Sequence, residues 1–239
     1  MYRKGGENMK ERLVSRSSIL ISLAILLIIG FAILTILGFQ DKAKYNDINK
    51  IKRVIMEAED MENTIYLLPE AYNSSPEVEV PNEVIDSMNK KVISECQKYY
   101  SAKSGLLADR IKVLQMAVDA QAKDKESRVV KNINKSIKFI DLNINGDTAT
   151  VIADISGQAT IISLVPQGVD INKYKTSNKK EEIKPEMKAK MEEDIKNAPK
   201  KLVTNSPEGT MRFYYNLAKE DGVWKITSRK GDFLPGQGP

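Results

Sequence analysis

The chain has 239 residues, 37 basic and 32 acidic, a net charge of +5 and no histidine. The missing imidazole removes the commonest general base and the commonest metal ligand, which excludes triad hydrolases of the usual type and His-bearing zinc sites. Cys96 is the only cysteine, so no disulfide forms within the chain; Val92 stands four residues before it on an apolar helical stripe, which predicts a buried thiol.

Residues 1–18 read as a short basic tail carrying Arg3, Lys4, Lys10, Arg12 and Arg16. From Ile19 to Phe39 follow 21 residues without a charge. At about 1.5 Å of rise per residue such a helix crosses a hydrocarbon core of roughly 30 Å. The run is longer than a signal-peptide core and ends Leu37-Gly38-Phe39-Gln40-Asp41 without a small-x-small cleavage site, so it predicts a retained transmembrane anchor. Basic residues flank it equally, with Lys42, Lys44, Lys50, Lys52 and Arg53 on the far side. Arg12 and Arg16 crowd the short side, and long C-terminal domains translocate largely regardless of charge, so the expectation is N-terminus cytoplasmic and domain outside.

The five basic and two acidic residues before the run leave 32 and 30 behind it, a nearly balanced remainder. Lys and Glu interleave, as in "NKKEEIKPEMKAKMEEDIK", which describes a solvated surface and not the concentrated basic face of a nucleic-acid binder. Residues 40–81 read as a juxtamembrane helix and loop. Ile48, Ile51, Ile55, Ala58, Ile65 and Leu68 recur at helical spacing, and Pro69, Pro76 and Pro81 then break the helix. Glu62 falls on the apolar seam and spoils a coiled coil, which favours packing on the chain's own domain; homo-oligomerisation through this helix stays open.

A second helix starts at Asn82 with Val84, Met88, Val92 and Cys96, and a third follows Gly105 with Leu107, Ile111, Leu114, Val118 and Ala122. From Ser136 the period becomes 2. Asn145-Gly146 signals a hairpin, Ala149, Val151, Ala153 and Ile155 form one face, and Gly157 marks a bulge or a second turn. Residues 167–204 read as a polar insertion on the sheet's rim with a helix, Pro185 to Asn197, carrying Met187, Met191 and Ile195. A second hairpin alternates Met211, Phe213, Tyr215 and Leu217 inward, turns at Asp221-Gly222 and returns through Trp224, leaving 231–239 as a tail. The fold class is α+β, helices on a curved antiparallel sheet over residues 82–230.

The order helix, "INGDTATVIADI", long strand, "FYYNLAKEDGVWKITS" resembles the cystatin-like α+β cone of the nuclear transport factor two-like superfamily, carried by Gly146, Asp147, Ala149, Val151, Gly222, Trp224, Lys225 and Ile226. The resemblance implies a cavity that some members use for catalysis or small ligands and many use only for assembly. Members behind one N-terminal span look like the extracytoplasmic assembly subunits of type IV secretion and conjugation machines. Catalysis there needs a carboxylate base facing a donor. Asp141 and Asp154 are the strand carboxylates and Tyr99, Tyr100, Tyr214 and Tyr215 the donors, but the alternation points the aspartates to solvent. Phe213, Tyr215 and Trp224 read as core. The sequons at Asn73 and Asn134 carry no assigned role.

The expectation is a membrane-tethered extracytoplasmic interaction or assembly module without enzymatic activity. It has no catalytic, cofactor-binding or metal-ligating residues and no cofactor. Its partners are the cell membrane and other membrane or envelope proteins, not nucleic acid. A ligand-binding or sensory domain is the alternative.

Overall fold

The computed structural model describes residues 44–169 and 185–234. The apolar run 19–39 lies outside them, and no helix among the described residues is long and apolar enough to cross a membrane. Residues 44–50 are helical; Ile51 to Pro239 form a separate compact unit. Within that unit the elements are α1 (residues 51–64), a 3-10 turn (Glu70–Tyr72), α2 (Asn82–Tyr99), α3 (Leu106–Lys123), β1 (Ser127–Asn145), β2 (Thr148–Pro166), α4 (Pro185–Asn197), β3 (Lys200–Asn205), β4 (Glu208–Glu220) and β5 (Val223–Phe233).

The strands make one antiparallel sheet in the order β1-β2-β4-β5. β3 and β4 both pair with β2, at Ile161–Pro166 and Thr148–Gln158 respectively, so they act as one strand interrupted at Ser206 and Pro207. The end of the stretch read as a polar insertion therefore belongs to the sheet. At the second hairpin Asp221 and Gly222 both have positive φ, 49° and 80°, the left-handed geometry a tight two-residue turn requires.

β1 starts at Ser127, nine residues before the expected Ser136, and its register slips between Val129 and Lys131, Asn134 and Ser136, and Phe139 and Asp141. Each slip inserts one residue, so the inner face runs Asn132, Asn134, Ile137, Phe139, Leu142, Ile144, and the strict alternation that marks a strand in sequence is broken. Gly157, expected at a bulge or turn, lies within uninterrupted β2; the bulges fall on the partner strand.

The helices α1, α2 and α3 cover the face bearing Ala149, Val151, Ala153 and Ile155. Into one core go Ile51, Ile55 and Ala58 of α1, Val92 and Cys96 of α2, Leu114 and Val118 of α3, and Phe213, Tyr215, Leu217, Trp224 and Ile226 of the closing strands. Between α2 and α3 the chain joins the sheet: Tyr100 bridges Ile226 in parallel, and the Ser101 N–H donates to the Ile226 carbonyl at 2.9 Å. Trp224 is 1% exposed, with the Lys219 ammonium 5.1 Å from its ring centroid. The core is thus an α+β layer pair closed by an aromatic strand.

Candidate functional site

Two glutamates on α1 lie inside the domain. Glu59 and Glu62 are three residues apart, so both project from one helical face, and they are 3% and 6% exposed. Each is held by an arginine fork. Arg229 donates Nε to Glu59 Oε1 at 2.6 Å and Nη2 to Oε2 at 2.8 Å, and the Tyr215 hydroxyl donates to Oε1 at 2.8 Å. Arg110 donates Nε to Glu62 Oε1 at 2.6 Å and Nη2 to Oε2, and the Tyr100 hydroxyl donates to Oε1. Arg229 Nη2 also lies 3.6 Å from Glu62 Oε2, which joins the two halves, and its guanidinium stacks 4.2 Å from the Phe213 centroid.

The electrostatics follow from this packing. Burial alone would loosen the proton on Arg229, but the hydrogen bonds and charge of Glu59, with Glu62 behind them, hold it above the ordinary arginine range. Burial, then the charge of Glu62, pushes the Tyr100 hydroxyl well above 10; burial, then Glu59, does the same to Tyr215. Cys96, fully buried, is pushed up to about 11 by burial first and by Glu62 next. In this network the tyrosines stay neutral, and each glutamate accepts three hydrogen bonds, two from an arginine fork and one from a tyrosine hydroxyl.

One end of this network opens into a cleft of about 680 Å³. Glu59 and Arg229 form its inner wall, Asn63, Asn132 and Asn134 one side, Met211, Phe213 and Phe233 the other, and Lys135 with Glu208 the rim. Asn63 Nδ2 donates to Asn134 Oδ1 at 2.7 Å, Asn132 Nδ2 to Asn63 Oδ1 at 3.1 Å and to the Tyr66 hydroxyl at 2.8 Å, and Asn134 Nδ2 to Asp60 Oδ1 at 2.8 Å. These bonds tie β1 to α1 and fix the amides in place.

A separate cluster anchors the proline-rich loop. Arg128, 1% exposed, donates to the carbonyls of Tyr72, Ser75 (3.1 Å), Pro76 (2.9 Å), Val78 (3.4 Å) and Gln121 (3.2 Å). Five carbonyl acceptors satisfy the buried guanidinium, and the Asp124 carboxylate adds a nearby negative charge.

The strand carboxylates sit apart from all of this. Asp141 is exposed, and Asp154 is bound in a fork by Arg212 at 2.7 and 2.9 Å on the opposite face of the sheet. Of the tyrosines, Tyr100 and Tyr215 meet at the network, Tyr214 is 40% exposed, and Tyr99 is half-buried. Phe213, Tyr215 and Trp224 are core residues. Glu59, Arg110 and Arg229 carry no local signal in the sequence. Glu62 carries one, since a charge on an apolar seam announces either a flaw or a buried partner. Among the described residues no group of three or more acidic or thiol side chains is placed to hold a metal ion.

No protein-family model matches the chain, and no curated protein matches it. Among solved structures it is similar to the intermembrane space region of the chloroplast protein ARC6, at 13% identity over 64% of this chain and 95% of that one, with a TM-score of 0.33. It is also similar to a periplasmic fragment of TraM, at 10% identity over 77% of this chain and 98% of that one, with a TM-score of 0.30. Neither is described as nuclear transport factor two-like, and scores this low assign no function.

Proposed function

We propose that the chain is a membrane-tethered extracytoplasmic interaction or assembly module without catalytic activity, its domain a variant of the cone it resembles. The observation that carries this reading is the filled interior. Trp224, Tyr100, Tyr215 and Ile55 occupy the space between helices and sheet, and the two carboxylates enclosed there are committed to Arg229 and Arg110. An isomerase or lyase of the cone type needs a carboxylate free to take a proton and room for a substrate beside it. The cleft beside Glu59 offers room, but both enclosed carboxylates are held in arginine forks and neither is free as a base, so on this reading function falls to surfaces and to where they are held.

The uncharged run 19–39 supports the tether. Tethering converts encounters with membrane-bound partners into local ones and raises their effective concentration without new contacts. The test is cross-linking in intact membranes, read by mass spectrometry, with the full-length chain and with a form whose residues 19–39 are replaced by a cleaved export signal. The expected result is adducts with membrane or envelope proteins that fade when the anchor is removed. Equal adducts from the released form, or turnover of a small molecule that Glu59→Gln abolishes, would overturn it.

A further inference from the structure

We infer that the cleft beside Glu59 and Arg229 is a binding site for an uncharged oligosaccharide. Its floor is the first observation. Asn134, Gly157 and Gly209 stand opposite one another across β1, β2 and β4, on the face that carries Ile155 and Met211 one step further along. Two facing glycines leave that part of the sheet bare. Strand glycines weaken a sheet, so each calls for a reason. Gly157 has a partial one, since a Cβ there would come within 3.3 Å of the Ile133 carbonyl oxygen. Gly209 has none in the fold: its φ is not in the left-handed region, and an added Cβ would meet nothing within 4 Å. What the missing side chain does provide is open floor.

The walls indicate the ligand. The charged lining residues cancel within the cleft, Glu59 with Arg229 and Lys135 with Glu208, so no excess charge selects an ion. Asn63, Asn132 and Asn134 present amides, which both donate and accept. Among the described residues Asn63 and Asn134 each use one amide N–H on another side chain, which leaves one for a ligand. Groups that donate and accept at the same atom, the hydroxyls of a sugar, match this lining. Phe233, 56% exposed at the end of β5 and paired with Met211, supplies a flat apolar surface for the C–H face of a sugar ring. A volume of about 680 Å³ suits a small ligand and holds a few rings. A peptide fits less well. Extended peptides bind by pairing with a free strand edge, and the floor here is a sheet face whose central strand β2 is paired on both sides.

The inference does not depend on the tether, and cross-links that persist without sugar binding would leave the proposed function standing. The experiment is saturation-transfer NMR on the full-length chain in a detergent without a sugar headgroup. The probes are chitotetraose, cellotetraose, a sulfated oligosaccharide and an extended peptide of similar mass. Saturation of ring protons of at least one neutral sugar is expected, weakened about tenfold or more in Gly209→Leu and in Phe233→Ala with the thermal melt unchanged. Should Gly209→Leu fail to fold, Phe233→Ala, at an exposed side chain, decides alone. No transfer to either neutral sugar at about 1 mM, stronger binding of the sulfated probe or the peptide, or binding that survives in Phe233→Ala would overturn the inference.

Discussion

Glu59 and Arg229 allow the structural reading of the buried network to be tested by a double-mutant cycle. Their side chains are 4% and 16% exposed, and removing one partner of such a pair strands the other's charge away from water. Glu59→Ala leaves the Arg229 guanidinium with Glu62 at 3.6 Å as its remaining anion and deprives the Tyr215 hydroxyl of its acceptor. The residual partner softens the loss, so about 3 kcal/mol is expected, at the low end for a broken buried pair. Arg229→Ala also removes the stacking on Phe213 and leaves Glu59 with the Tyr215 hydroxyl as its donor, so about 4 kcal/mol is expected. Replacing both, Glu59→Leu with Arg229→Met, removes the charges together while keeping volume, and should fall within about 1 kcal/mol of the parent. For a unit of this size each kcal/mol moves the melting temperature by about 2 to 4 °C, so each alanine variant should melt about 6 to 16 °C lower. The assay is thermal and denaturant unfolding of the full-length chain and its variants, followed by far-ultraviolet circular dichroism. Single variants within about 1 °C of the parent, or a double variant no more stable than the worse single, would refute the reasoning.

Trp224→Ala should cost about 3 to 5 kcal/mol, because a ring 1% exposed is lost from the closing strand; parent emission should be blue relative to the unfolded chain, and red emission with an unchanged melt would make it a surface contact instead. Arg128→Ala should cost about 2 to 4 kcal/mol and speed hydrogen exchange and proteolysis across residues 70–78, with partial rescue in Arg128→Lys, which keeps the charge but not the fork; a protected loop in the alanine variant would count against the carbonyl anchor. Alkaline pH should destabilise the domain. The buried Cys96 thiol, pushed up to about 11, and the raised Tyr100 and Tyr215 hydroxyls all keep their protons in the fold longer than in the unfolded chain. Their stabilising contribution is therefore complete below about pH 9 and lost as pH rises through the folded values, Cys96 accounting for on the order of 2 kcal/mol between about pH 9 and 11. Cys96→Ala should flatten that part of the curve, and an unaltered alkaline limb would show that the thiol is not buried as described.

The periodic parts of the fold were legible because their periods are simple. Val92, Cys96, Leu114 and Val118 lie four apart and are buried, and Asn145-Gly146 and Asp221-Gly222 are hairpin turns. The first nine residues of β1 were hidden by bulges that displace the inner face by one residue each, and by asparagines that face inward to bond α1. β3 was hidden by its context, six polar-flanked residues that become a strand through pairing with the end of β2. The network was hidden by distance. Glu62 meets Arg110 48 residues away, and Glu59 meets Arg229 170 residues away, so no local pattern joins them. The cleft floor was half visible: Gly157 drew notice as an irregularity, but its opposition to Gly209 depends on the β2-β4 register.

The central claim, a domain held outside the membrane by residues 19–39, is tested most directly by adding protease to intact cells that express the full-length chain with a tag at Met1. The account predicts that residues of the Ile51–Pro239 unit are digested from outside while the tag survives in a membrane pellet that resists high-salt and alkaline washing. A domain protected from the protease while the tag is lost, or a soluble chain beginning near Asp41, would contradict it.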